Sequence, residues 1–288
     1  MERTRWMLMV SLLIVLGAAA FGQDAPLWLR YPAISPDGST IAFSYKGDIW
    51  SVPAAGGTAV PLTLGDSHEY APVWSRDGKQ IAFASDRYGN FDVFVMPAAG
   101  GEARRLTFHS AAEVPSAFTA DGRSVLFSAR RQQAPADVQF PTRAMTQLYS
   151  VPVAGGRVDM ALAMPALDAT LDSAGRRLIY HDVKGYEDSW RKHHTSAVTR
   201  DVWLYDFKAK TYAQLTEFAG EDRNPVFAAN DKDFFYLSEL DGTFNVYRAP
   251  VADPARAVQL TKFSRNPVRF LTRAKDDLLC FGYDGEIY

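Results

Sequence analysis

The chain has 288 residues, 47% hydrophobic and 22% charged, a balance that excludes a disordered polypeptide and supplies enough apolar side chain for a filled core. Its formal charge of −2, from 31 Lys+Arg against 33 Asp+Glu, offers no broad basic field and so excludes nucleic acid and other polyanions as partners. A single cysteine, Cys280, excludes an internal disulfide, and its apolar setting in "DLLCFGY" predicts a buried, inert thiol.

The first residues differ from the rest. "MERTRW" carries Arg3 and Arg5, and "MLMVSLLIVLGAAAFG" follows as an apolar run with small residues at Ala18, Ala20 and Gly22. This predicts a signal peptide over 1–22, cut after Ala20 or Gly22, and therefore export to the periplasm or medium. The run of sixteen is shorter than the ~20 residues that span a bilayer, and no cysteine follows it to receive a lipid.

From there the chain repeats itself. "ISPDGSTIAFSYKGDIWSVPAAGGTAVPLT" at Ile34–Thr63 returns as "VWSRDGKQIAFASDRYGNFDVFVMPAAGGEARRLT" at Val73–Thr107. One aromatic series runs Phe43, Phe83, Phe127, Tyr180, Tyr236 and Phe281, at intervals of 40, 44, 53, 56 and 45 residues. A turn precedes each member: "SPDGST", "SRDGKQ", "TADGRS", "DSAGRR", "ANDKDF" and "TRAKDD". A second series, Trp50, Phe94, Tyr149, Trp203, Tyr247 and Tyr288, closes the next run, and "AVPLT", "ARRLT", "YAQLT" and "AVQLT" end four of the units.

Asp-Gly between apolar runs is a hairpin signal, because Gly takes positive φ freely and Asp tolerates it. Each unit therefore reads as four short antiparallel strands, A to D, with strand A in "YPAIS", "APVWS", "PSAFT", "LDATL", "NPVFA" and "NPVRFL". That is the pattern of an all-β propeller of four-stranded blades, five complete and a sixth incomplete. The domain spans 23–288, with blades over about 31–65, 70–110, 114–163, 165–218, 223–263 and 265–288. The sixth copy lacks a Leu-Thr strand; "DAPLWLR" could lend one, and the reading is of an N-terminal portion of a longer protein.

No G-x-S-x-G, Walker loop, H-E-x-x-H or C-x-x-C occurs, so no catalytic, cofactor or metal residue is assigned. Two B–C connections are long: "ARRQQAPADVQFPTRAMTQLY" in blade three, and "HDVKGYEDSWRKHHTSAVTRDVWLYD" in blade four. His193 and His194 in the latter read as part of a solvated or interdomain loop, since adjacent residues of an extended chain point oppositely. The D–A and B–C connections share one rim of a propeller, which gathers His68, Glu69, Asp86, Arg87, Glu113, Glu221, Asp222 and Arg223. These either line a channel mouth for peptide or unfolded polypeptide, or form a charged rim that keeps the disc soluble.

"SPDG…IAF…DIW" is shared with TolB-like propellers generally. The longer words "HEYAPVWSRDGKQIAFASDRYGNFDVF", "YEDSWRKHHTSAVTRDVWLYD" and "GEDRNPVF" resemble the first, six-bladed propeller of bacterial tricorn protease homologues, over Leu27–Tyr288. That resemblance implies a serine peptidase with PDZ and catalytic domains downstream, and possible homo-oligomers of the full-length protein. No residue here matches the family's catalytic serine, histidine or glutamate. The alternatives are a non-enzymatic TolB-like interaction propeller and the propeller of a prolyl-oligopeptidase-like enzyme.

Overall fold

Every copy of the repeat folds as one antiparallel meander. The structure, a computed structural model, describes residues 28–131, 145–185, 188, 190, 193 and 195–288. The expected signal peptide, residues 132–144 of the blade-three connection, and His194 lie outside the described residues.

Blade one holds β1 (Arg30–Ile34), β2 (Thr40–Tyr45), β3 (Asp48–Pro53) and β4 (Val60–Pro61). Blade two holds β5 (Glu69–Trp74), β6 (Gln80–Ser85), β7 (Asp92–Pro97) and β8 (Arg104–Arg105). Blade three holds β9 (Glu113–Phe118), β10 (Ser124–Ala129), β11 (Gln147–Pro152) and β12 (Asp159–Leu162). Blade four holds β13 (Ala166–Leu171), β14 (Arg177–Asp182), β15 (Val202–Asp206) and β16 (Thr211–Gln214). Blade five holds β17 (Asp222–Phe227), β18 (Asp233–Ser238), β19 (Asn245–Pro250) and β20 (Val258–Gln259). Blade six holds β21 (Arg269–Arg273), β22 (Leu279–Tyr283) and β23 (Glu286–Ile287), three strands rather than four.

The two aromatic series explain the packing. Strand register sets Phe43 opposite Trp50, Phe83 opposite Phe94, Phe127 opposite Tyr149, Tyr180 opposite Trp203 and Tyr236 opposite Tyr247. In blade six Phe281 and Tyr288 exchange both backbone hydrogen bonds, at 3.0 and 2.9 Å. The buried side chains form six clusters, one in each cleft between neighbouring blades. A blade has two apolar faces and can bury neither alone, so burial of its aromatics, at about 2–3 kcal/mol each, is available only in the ring.

The short words of the repeat also have physical roles. Ser35, Ser75 and Thr119 donate to Asp37, Asp77 and Asp121 at 2.6, 2.7 and 2.6 Å, and the same carboxylates accept the N–H two residues on. These bonds hold the three carboxyls below the usual range, Asp37 at about 2. In the Leu-Thr word, Leu62, Leu106, Leu215 and Leu260 donate to strand C carbonyls at 2.8 Å. The following Thr63, Thr107, Thr216 and Thr261 accept a strand C N–H at 2.9 Å through the hydroxyl.

One stitch recurs between blades: the backbone N–H at the start of strand A donates to the preceding blade's B–C connection. Glu69 to Gly47, Glu113 to Phe91, Asp222 to Arg200 and Val268 to Phe244 span 2.7–2.9 Å. Leu29 to Gly285, at 2.9 Å, repeats it between blades one and six and closes the ring. Trp28 and Leu29 lie outside any strand and Leu29 stitches blade six, while residues 24–27 of the stretch expected to lend a strand lie outside the described residues. One expectation changes here. The inner strand of blade six is Arg269–Arg273, three residues later than "NPVRFL" suggests, because Val268 occupies the stitch position that Glu69 and Glu113 hold elsewhere.

Candidate functional site

The six inner strands, β1, β5, β9, β13, β17 and β21, surround an axial cavity of about 900 Å³. Each of them carries a one-residue bulge against its neighbour, at the same place in every blade. The bulge residues are Tyr31, Ala71, Pro115, Asp168, Asn224 and Phe270, and all six line the cavity. Five of them are left-handed, with φ of 51° at Tyr31, 54° at Ala71, 48° at Asp168, 49° at Asn224 and 59° at Phe270. Pro115 cannot follow, because its ring fixes φ near −65°. A left-handed non-glycine residue costs about 1–2 kcal/mol, and such strain gathers at functional places.

The ring is not uniform around its circumference. On blades six, one and two, Tyr31 packs 4.3 Å from Phe270 and 5.2 Å from Tyr70, whose far edge meets Phe91 at 4.8 Å. Burial raises the hydroxyls of Tyr31 and Tyr70, so this wall is neutral at ordinary pH. On blades four and five, Asp168 accepts a hydrogen bond from the Asn224 amide, and His181 Nδ1 lies 3.4 Å from the Asn224 N–H and 3.6 Å from Asp168. Half of the Asp168 side chain is exposed to the lumen, and desolvation by the surrounding walls raises its carboxyl against the pull of Arg200 and Arg223. His181 is driven well below its ordinary range by burial and by the same two arginines.

Trp190 of the blade-four connection also lines this cavity. Trp190 lies under the Arg30 and Arg269 guanidinium groups at 4.3 and 5.0 Å, and its carbonyl accepts from Arg269 at 3.0 Å. His193 sits 3.4 Å from Glu239, and among the described residues no cluster of three His, Cys, Asp or Glu is placed to hold a metal. At the opposite end, Arg76 of blade two donates to the carbonyls of Leu171, Asp172 and Ser173 of blade four, at 3.2, 2.6 and 2.8 Å.

Of the eight rim residues expected from sequence, Arg223 lines the cavity. His68 is exposed, and its N–H is held by Asp86 at 2.6 Å. Glu69 and Glu113 are buried at the start of their strands, paired with Arg87 and Arg131. Glu221 is buried between Arg200 at 2.7 Å and Arg223 at 3.4 Å. Asp222 is buried beside it, its carboxyl pushed up to about 7, mainly by desolvation. Most of this charge therefore ties strands together behind the lumen wall, and the bulge residues that do face the lumen were not singled out from the sequence.

Residues 26–288 match the family described as the tricorn protease N-terminal beta propeller domain. The chain belongs to that family. Among solved structures this tricorn-type propeller is similar to the crystal structure of the tricorn protease, with a TM-score of 0.75 and 19% identity over 91% of this chain and 25% of that one. A putative TolB from Agrobacterium tumefaciens gives 0.65 and 15% over 82% and 81%. A curated relative, "Uncharacterized peptidase YuxL" of Bacillus subtilis (strain 168), is 36% identical over 69 residues, which are 20% of this chain and 10% of that one. The structural likenesses establish the fold, and the tricorn-type propeller spans about a quarter of the tricorn protease chain.

Proposed function

We propose that this propeller gates or guides extended peptides for a tricorn-like serine peptidase, with the catalytic groups in domains outside this chain. The observation that carries the reading is the ring of six bulges, five of them with a left-handed backbone, whose residues all line the lumen. A passage walled by six strands admits an extended chain and excludes a folded domain. In this reading the protein is exported by a cleavable segment over 1–22, and the first residue of the mature protein, found by N-terminal sequencing, tests that.

The peptide reading is tested by equilibrium binding with one small disulfide protein, labelled with a fluorophore, in its native and its reduced, carboxymethylated forms. The unfolded form is expected to bind and the native form to remain free. Equal binding of both would overturn the reading and favour a TolB-like propeller that docks folded partners.

A further inference from the structure

The lining of the axial cavity is more basic than the chain around it. Arg76, Arg200, Arg223, Arg269, Arg273 and Lys275 stand there against Asp168, Asp231 and Asp276, in a chain with 31 Lys+Arg and 33 Asp+Glu. These cations occupy two levels. Arg269 opens β21, Arg223 is the second residue of β17, and Arg200 lies beside it against the shared Glu221. Arg273 closes β21, while Arg76 and Lys275 follow the ends of β5 and β21 in the A–B turns. Four residue steps of strand separate Arg269 from Arg273, no more than about 13 Å. Two acids at the second level accept backbone N–H groups, Asp231 from Ser173 at 3.0 Å and Asp277 from Ala229 at 2.7 Å.

Gathering like charges in a partly desolvated place costs stability, and the arginines themselves carry its mark. Burial, together with Arg269 and Arg200, lowers Arg223 to about 10 against the pull of Glu221. Burial and Arg30 lower Arg269, and burial and Arg273 lower Arg76. A cleft lined by one sign of charge focuses its field on what enters, and here the field favours carboxylates. Arg200 and Arg223 are buried and act through that field; Arg269 and Arg273 are partly exposed and Lys275 is exposed, so these three are within reach of a ligand. Resting on the peptide-handling reading above, we propose that the lumen selects acidic peptides, extended chains with two Asp or Glu side chains about four residues apart. One carboxylate meets Arg269 where the inner strands begin, and the other meets Arg273 and Lys275 where they end. A lone carboxylate at a chain terminus answers only one of the two levels. The formal charge of the whole chain, −2, repels such a peptide, so a preference for it has to arise within the lumen.

The test uses three octapeptides, acetylated and amidated at their ends, labelled with an uncharged dye and identical except for two Glu, two Gln or two Lys placed four residues apart. Fluorescence anisotropy at low ionic strength is the readout. Wild type is expected to bind the Glu peptide about tenfold more tightly than the Gln peptide, about threefold from each ion pair, and the Lys peptide most weakly. Arg269→Gln and Arg273→Gln should each cut the preference for Glu by about threefold and leave affinity for the Gln peptide within about twofold. Arg157→Gln, at an exposed position outside the lining and paired with Asp159, should leave the preference unchanged. Thermal midpoints establish that each variant is folded; Lys275→Gln, at an exposed position, replaces Arg273→Gln if that variant is not. Equal binding of the Glu and Gln peptides, a preference for Lys, or an equal loss in Arg157→Gln overturns the inference while peptide handling stands. If wild type binds none of the three yet binds the unfolded carboxymethylated protein, the inference alone falls; if it binds neither, both fall.

Discussion

Arg76 and Ser173 are joined past an intervening blade: the guanidinium of blade two donates to the carbonyl of blade four at 2.8 Å, bypassing blade three. Two further carbonyls of the same turn, Leu171 and Asp172, accept from it, and Asp231 of blade five accepts the Ser173 N–H at 3.0 Å. Replacing Arg76 with Met keeps much of the aliphatic stem and removes the donors. The midpoint of urea unfolding should fall by an amount equivalent to about 1–2 kcal/mol, a small effect for three bonds because the side chain is solvent-exposed.

Thr107 is buried at the end of the Leu-Thr word of blade two, and its hydroxyl accepts the Val93 N–H at 2.9 Å. Thr107→Val keeps the shape and leaves that N–H unpaired. A loss of about 1–3 kcal/mol in chemical denaturation is expected, and an unchanged midpoint would show that the recurring threonine has another purpose.

Ala71 carries its left-handed conformation, φ 54°, with almost no side chain to justify it. Ala71→Gly relieves the clash of Cβ with the backbone, at the cost of added freedom in the unfolded chain. The balance should raise stability by up to about 1 kcal/mol, visible as a higher thermal midpoint. A drop would mean that the bulge is unstrained and that the φ values carry no functional message.

Asp222 has a folded-state pKa near 7 against an ordinary 3.8, set by desolvation and by the nearby Asp201 and Glu239 charges, and opposed by bonds from Ser238 and Thr216. The folded state thus holds the proton more tightly than the unfolded one. The carboxylate costs stability in full above pH 7, progressively less as pH falls, and nothing below about 3.8. Asp222→Asn should raise the thermal midpoint at pH 8 and leave it almost unchanged at pH 4. Equal gains at both pH values would count against a buried charge as the cause.

The blades were legible in the sequence because their packing demands a fixed residue type at a fixed place: an aromatic opposite an aromatic, Asp-Gly at a turn, Leu-Thr on the outer strand. The bulge ring was not, because Tyr31, Ala71, Pro115, Asp168, Asn224 and Phe270 share a backbone and no side-chain chemistry. A trace did exist in the proline that follows three of them, Pro32, Pro72 and Pro225. Glu69 and Glu113 were read as rim charge because they stand where the D–A connection reaches the rim, yet both side chains are buried. Their partners Arg87 and Arg131 lie 18 residues further on in both blades, a recurrence that marks ion pairs of a buried glutamate with a partly exposed arginine between strand ends.

Inserting one residue into each inner strand puts the lumen out of step with the alternation that governs the rest of the blade. The six clefts fix what the remaining strand positions must be, whereas the bulge side chains answer to one another between neighbouring blades, Tyr31 to Phe270 and Asp168 to Asn224. The lining can therefore be rewritten in neighbouring pairs of blades while the disc that carries it stays the same.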